Sequence, residues 1–354
     1  MKGCGYSTTP EIQKLIAKIG RTEDAKFSSD GRYLAIVEYL DNKIHLFEID
    51  ITGSSNSQVV NLINATTIRS VHLNLPHGFT FLGDGYFLVA NRGGDVTLFK
   101  LPIKCFEQDE VVLMPVSIIK GGRFYGKISS PGSIDCYQVS ENRYRLLVCN
   151  NDLHSIVSFE IDISDRIRIK NKGVLIKRGL NLPDGISISQ NKKWIAVSNH
   201  NTGTVLIYRL SLFLNRYTAP SAELTDIAYP HGLRFSTEGQ MIFVADAGSQ
   251  YLHIFECNDN NWNKNHKPRQ SVKLVENVIF AKGRVNPQEG GIKGVDIANQ
   301  NKLLVTTAHH HVLDFYAIST LLAIPVNIKE QVIVKEKMQY YRKLIKTIAP
   351  APEI

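Results

Sequence analysis

Pro230-His231-Gly232-Leu233-Arg234-Phe235, then Ser236-Thr237-Glu238-Gly239-Gln240, then Met241-Ile242-Phe243-Val244-Ala245-Asp246, read as a short strand, a turn around an acidic-glycine pair, and an apolar strand ending on a carboxylate. A third strand, Leu252-His253-Ile254-Phe255, follows and ends on an aromatic ring. Strand-like alternation with a glycine-centred turn marks antiparallel neighbours. The same pattern recurs along most of the chain. Earlier copies are Ala25-Lys26-Phe27 to Ala35-Ile36-Val37-Glu38, His77-Gly78-Phe79 to Val89-Ala90-Asn91, Ser133-Ile134-Asp135 to Val148-Cys149-Asn150, and Asp184-Gly185-Ile186 to Val197-Ser198-Asn199. A last copy runs from Lys293-Gly294-Val295 to Val305-Thr306-Thr307.

Equivalent apolar positions Phe27, Phe81, Val139, Ile188, Phe235 and Ile297 lie 47 to 62 residues apart. That period suits radially arranged four-stranded blades, and the strand periodicity excludes helical solenoids. The expected fold is therefore an all-β, six-bladed propeller, with seven blades as the alternative. Fourth strands are expected at Thr67–Leu73 and Val111–Ile119, with none evident after the sixth copy. Glu11–Ile19 precedes the first copy as those strands precede later ones, so it is expected to close the ring as an N-terminal strand on the sixth blade, protecting the edges. Residues 1–324 then form one propeller domain. Residues 325–354 read as a C-terminal helical extension packed on it, from the spacing of Val332, Met338, Tyr341 and Leu344; a strand of a closing blade is the alternative.

Composition narrows the classes. With 43% hydrophobic residues, the 354-residue chain can bury a large core. It has no apolar run of about 18 residues and no apolar leader after Met1, so neither a membrane span nor secretion is expected, and the expected location is cytoplasmic. Five scattered cysteines without a CxxC pair argue against a disulfide framework or zinc knuckle. The net charge of +8 is spread out, densest between Lys335 and Lys346, with no nucleic-acid motif, so nucleic acid is not an expected partner.

The hairpin spacing brings the start of each first strand and the end of each second strand to one mouth of the channel. The inner set is Glu23, His77, Asp135, Asp184, His231 and Lys293; the companion set is Glu38, Asn91, Asn150, Asn199, Asp246 and Thr307. Ser133 is the alternative to Asp135, and Asp24 to Glu23. Sixfold geometry opposes Glu23 to Asp184, His77 to His231, and Asp135 to Lys293. None of the twelve is apolar, and buried polar groups need partners. Carboxylates among Asn oxygens suit a hard cation; histidines suit a transition metal or proton transfer. A water-filled channel held by hydrogen bonds remains an open reading. Arg92 could present a guanidinium to an anionic substrate, and His309-His310-His311 reads as a surface cluster. Gly93-Gly94, Gly121-Gly122 and Gly290-Gly291 read as turns, and no GxSxG elbow occurs.

Val89-Ala90-Asn91-Arg92-Gly93, and Pro230–Phe235 with Phe243–Asp246, resemble repeats of 6-phosphogluconolactonase-like propellers, over about residues 20–318. That family usually has seven blades. The six-blade count looks more like the gluconolactonase, paraoxonase and strictosidine-synthase-like superfamily, in which acidic and Asn residues at the channel mouth hold a divalent cation. This resemblance implies Glu23 and Asp184, completed by Asn150 or Asn199, as ligands of a divalent cation, with calcium expected. His77 and His231 depart from that shell. The activity expected is hydrolysis of a small-molecule lactone or ester, with His77, His231 and Arg92 as catalytic residues. The alternatives are a non-catalytic propeller binding a ligand or a protein partner on its rim, and a biosynthetic condensing or cyclising enzyme with an axial His as base.

Overall fold

A computed structural model describes residues 3–53, 58–83, 85–102, 104–122, 126–284, 286, 288–298, 302–324, 336–340 and 343. Each repeat folds into one antiparallel meander, and six meanders stand around an axis. Their innermost strands are Thr22–Phe27, Pro76–Leu82, Pro131–Ser140, Pro183–Ile188, Pro230–Phe235 and Ile292–Ala298. Among the described residues, blades two to five are four-stranded, and the sixth, Ile292–Ala298, Leu303–Ala308 and His311–Ala317, has three strands. Blade one also has four, ending in Val59–Arg69, to which Tyr6–Thr8 and Glu110–Val112 add in parallel. The expected fourth strands shift accordingly. The first spans Val59–Arg69, whereas the second splits between Glu110–Val112, paired to blade one, and Ser117–Ile119, paired within blade two.

The core lies between blades. One apolar cluster fills each junction, as where Trp194, Val205 and Ile207 of blade four meet Phe235, Val244 and Phe255 of blade five. Both faces of the second and third strands are thus covered, which is why those strands read as continuous apolar runs. The seam between blades six and one has its own cluster, including Phe27, Phe47, Leu303, Phe315, Ile12 and Ile19.

The N-terminus closes that seam, but Glu11–Ile19 does not do so as a strand. Pro10–Ile16 is a helix: Thr9 caps it by accepting from the Ile12 N–H, and Pro10 occupies the first turn. The helix buries Ile12 in the seam, while Cys4 makes the antiparallel bridge to Phe315 beside the third strand of blade six. The capping signal at Thr9-Pro10-Glu11 outweighs the positional analogy with the blade-ending strands. In the C-terminal extension, residues 336–340 are helical and Met338 is buried with Ala228 and Tyr251. Residues 325–335, 341, 342 and 344–354 lie outside the described residues.

Every innermost pairing has a register shift near the same mouth, between Thr22 and Asp24, Pro76 and Gly78, Pro131 and Ile134, Pro183 and Ile186, Pro230 and Leu233, and Ile292 and Gly294. Such bulges free a residue from the ladder and re-aim its side chain. They hold Glu23, His77, Asp184, His231 and Lys293. The glycine that follows most of them answers a steric demand: a Cβ on Gly185 would stand 2.1 Å from the His231 carbonyl oxygen, and one on Gly232 would stand 2.4 Å from that of Lys293. Neighbouring inner strands meet there backbone to backbone.

Candidate functional site at the axial mouth

The bulges converge Glu23, His77, Asp184, His231 and Lys293 on the axis, all buried. Lys293 Nζ donates to both oxygens of Glu23, at 2.9 and 3.0 Å, and lies 2.7 Å from Glu289 Oε2. Arg21 donates to Glu23 and, at 3.0 Å, to Glu289. Across the axis, Asp184 Oδ1 accepts from Arg92 Nη2 and, at 3.1 Å, from Asn151 Nδ2. His231 Nε2 lies between the opposed carboxylates, 3.3 Å from Glu23 Oε2 and 3.2 Å from Asp184 Oδ2. His200 Nε2 lies 3.3 Å from the same Asp184 oxygen. The facing rings of His77 and His231 stack at 5.1 Å.

Arg21, Arg92 and Lys293 balance Glu23, Asp184 and Glu289 in formal charge, so the histidines sit in an electrically closed network. Burial alone would raise the Asp184 carboxyl, but His231, His200, His77 and Arg92 outweigh it and hold the group well below the usual carboxylate range. Burial likewise opposes ionisation of Glu23, and Lys293 with the neighbouring histidines overcomes it. Burial, with Arg92 beside the ring, pushes His77 down to about 3. Arg92 Nη2 donates to His77 Nε2 at 2.9 Å, so that nitrogen is an acceptor and the ring is neutral. Burial also lowers His200. Only His231 of the three is raised, because Asp184 and Glu23 outweigh its burial.

Among the described residues, five buried atoms of this cluster lack a hydrogen-bond partner: Asp184 Oδ2, His200 Nε2, His231 Nε2, Asn151 Oδ1 and Arg92 Nε. The His–Asp distances fall within hydrogen-bonding range, yet the rings are not aimed at the oxygen, so the ion-pair spacing does not satisfy them. Each such atom is destabilising by about 1–3 kcal/mol unless something polar meets it.

Several expected positions need correction. Asp135 is not at this mouth and does not face Lys293. In blade three the bulge holds Gly132 and the register alternative Ser133, with Gly132 at the position that carries the axial side chain in the other blades, and Asn151 fills the space beside it: a Cβ on Gly132 would lie 2.6 Å from Asn151 Oδ1. Asp135 lies further along its strand, accepts from the Ile188 N–H of blade four at 2.8 Å, and pairs with Arg234 at 3.4 Å. There it lines a cavity of about 740 Å³ at the opposite mouth.

The companion residues are staples. Asn91, Asn150 and Asn199 accept from the backbone N–H of Asn74, Ser129 and Asn181, each in the segment entering the same blade. Glu38 accepts from the Gly20 N–H and from His45, and Asp246 from the Ala228 and Tyr229 N–H groups and from His253. The amide oxygens of Asn150 and Asn199 are thus spent on backbone and do not join the carboxylate cluster. The residue after the companion reaches the axis instead. Arg92, Asn151 and His200 follow Asn91, Asn150 and Asn199, and each backbone N–H extends the ladder to Leu75, Ser130 and Leu182. The sequence reading found Arg92 and missed Asn151, His200, Arg21 and Glu289. His309, of the surface histidine cluster, lies in a separate hollow with Ile16 and Ile19.

The residues do not fit the calcium that the resemblance implies. Calcium takes about six to eight oxygens. Both Glu23 oxygens already carry the Lys293 ammonium, Asn150 and Asn199 are engaged by backbone, and the unpartnered oxygens at the axis are Asp184 Oδ2 and Asn151 Oδ1.

Among solved structures, the chain is similar to a luciferin-regenerating enzyme at 12% identity, covering 85% of this chain and 92% of that one with a TM-score of 0.54. It is also similar to a gluconolactonase from Xanthomonas campestris at 8% identity, covering 85% and 87% with a TM-score of 0.55. At such identities the likeness is one of fold, a six-bladed propeller. No family model and no curated protein matches the sequence.

Proposed function

We propose that the chain is a hydrolase of a small lactone or ester bound at the axial mouth. The observation that carries this reading is the set of unpartnered buried atoms: the Arg92 Nε–H donor, and Asp184 Oδ2 with the ring nitrogens His200 Nε2 and His231 Nε2 around it. A carbonyl oxygen that gains negative charge during attack would be met by the guanidinium, whose charge and orientation are held in advance by Asp184. An attacking water would sit against Asp184 Oδ2, His200 Nε2 and His231 Nε2, which can take its hydrogens and orient its lone pair. Positioning of this kind is a large part of a hydrolytic rate enhancement. The fold likeness to lactonase-type propellers supports the substrate class.

A condensing enzyme with His77 as base is less well supported, because the His77 Nε2 lone pair already accepts from Arg92 and the ring binds a proton weakly. The test is turnover of a panel of aliphatic lactones and simple esters by the purified chain. Asp184→Ala is expected to abolish it. Full turnover by that variant, or none by the wild type on any member, overturns the proposal.

A further inference from the structure

We infer that Asp184, His200 and His231 form a site for a divalent first-row transition ion of the zinc class, not for the oxygen-ligated cation the fold resemblance implies. Asp184 Oδ2 stands 3.3 Å from His200 Nε2 and 3.2 Å from His231 Nε2. Two ligand atoms about 2.1 Å from one ion, subtending roughly 90–110°, are themselves about 3.0–3.4 Å apart. The three atoms lie within 4.8 Å of one another and are buried. None makes a well-aimed hydrogen bond, although the spacing would allow it if the imidazole N–H vectors pointed at the carboxylate. Ring nitrogens that lie beside an oxygen without aiming at it are placed to share a third atom with it.

The surroundings support the same assignment. Asp184 Oδ1 is fixed by Arg92 and Asn151, which leaves Oδ2 as the free ligand atom and orients the carboxylate as an outer-shell pair does. Tyr229 packs on the His200 ring at 4.1 Å and holds its plane. His77 is excluded from the donor set because its Nε2 is engaged by Arg92. Three carboxylates are already matched by three cations, so no surplus negative charge draws in a hard ion. Two imidazoles and one carboxylate select by bond character, favouring zinc, cobalt or ferrous iron over calcium and magnesium. Glu23 Oε2, 3.3 Å from His231 Nε2, sits next to the position such an ion would take.

The inference rests on the hydrolase reading and revises one part of it, since an ion held by these three atoms, in place of the atoms themselves, would hold the attacking water; metal binding can be measured without a substrate. The full chain is stripped with a chelator and equilibrated separately with zinc, cobalt(II) and calcium. Elemental analysis should find one zinc per chain and no retained calcium, and the cobalt form should show visible ligand-field absorption. His200→Ala should weaken zinc binding by about 100-fold or more, since even outer-shell changes reach that range, while His77→Ala should keep the stoichiometry. X-ray absorption on the zinc-loaded wild type needs no variant and should count two imidazole nitrogens at about 2.0–2.1 Å. Zinc below stoichiometry, an oxygen-only shell, calcium displacing zinc, or unchanged binding in a folded His200→Ala chain would each overturn the inference. Lactone turnover by the metal-free chain together with zinc below stoichiometry would overturn it and leave the hydrolase reading standing. Stoichiometric zinc without turnover would do the reverse.

Discussion

Asp246 is the most heavily engaged of the staples, and replacing it with Asn isolates what one of them contributes. Its carboxylate is fully buried and accepts from the N–H groups of Ala228, Tyr229 and Gly248 at 2.9, 2.8 and 3.1 Å, from Ser249 Oγ at 2.7 Å and from His253 Nε2 at 3.0 Å. In Asp246→Asn the retained oxygen can still serve Tyr229 and Gly248. Ser249 can turn its hydroxyl, and His253 can change tautomer, donating through Nδ1 to Ser271 Oγ at 2.8 Å. The Ala228 N–H has no such remedy and faces an amide NH2. One buried unsatisfied donor plus the loss of charge assistance amounts to about 3 kcal/mol. For a chain of this length, at about 2.1 cal/mol/K per residue, that lowers Tm by about 4 °C.

The pH dependence has a definite sign. Burial would raise the Asp246 carboxyl, but His253 and the backbone N–H groups outweigh it, so the folded-state value lies below the unfolded one. A depressed carboxyl stabilises fully above its unfolded pKa, about 3.9, and that stabilisation is lost as pH falls through the folded value. Urea unfolding of wild type and variant should therefore differ by a constant amount from pH 7 to about 5, with the gap narrowing below about pH 4. A difference under about 1 kcal/mol at pH 7, or one unchanged at pH 3, would refute the staple assignment.

Two further outcomes follow from the axial geometry. Arg92→Lys keeps the charge balance but replaces a guanidinium that joins Asp184 to His77 with a single ammonium, and it removes the unpartnered Nε–H. Fold and Tm should be nearly unchanged while kcat on a lactone drops about 100-fold, the loss typical of one oxyanion donor; an unaltered kcat would remove Arg92 from the reaction. Gly185→Ala should lower the yield of soluble folded protein sharply, because its Cβ would collide with the His231 backbone oxygen at 2.1 Å. Gly85→Ala, with nothing within 4 Å, should stay within about 0.5 kcal/mol of wild type by thermal melt.

The propeller was legible because its cause is local: each meander needs apolar second and third strands and a glycine-bearing turn, and these leave a repeating pattern. Closure of the ring was not, because Glu11–Ile19 has apolar spacing compatible with either state and Thr9-Pro10 decides it through capping. The axial set was legible in five blades of six. Blade three failed because its bulge contains Gly132, and a glycine announces no chemistry; the polar group it lacks arrives from Asn151 on another strand end.

The same offset explains the missed residues. A two-residue strand period assigns one side chain of each neighbouring pair inward and the other outward, which made Asn91, Asn150 and Asn199 look axial. At a strand end the ladder is finishing, and the last in-register residue turns its side chain to the incoming backbone of its own blade. The next one, Arg92, Asn151 or His200, bends over the mouth. The division has a chemical consequence. Groups that hold the ring together accept fixed backbone N–H bonds and tolerate little change, as Asn199 does with the Asn181 N–H at 2.6 Å. The residues one step on vary around the ring, as Tyr39, Arg92, Asn151, His200 and, in the last two blades, Ala247 and Ala308. The identity of the site is therefore written in that second set and in the bulges, while the propeller fold stays recognisable at about a tenth sequence identity.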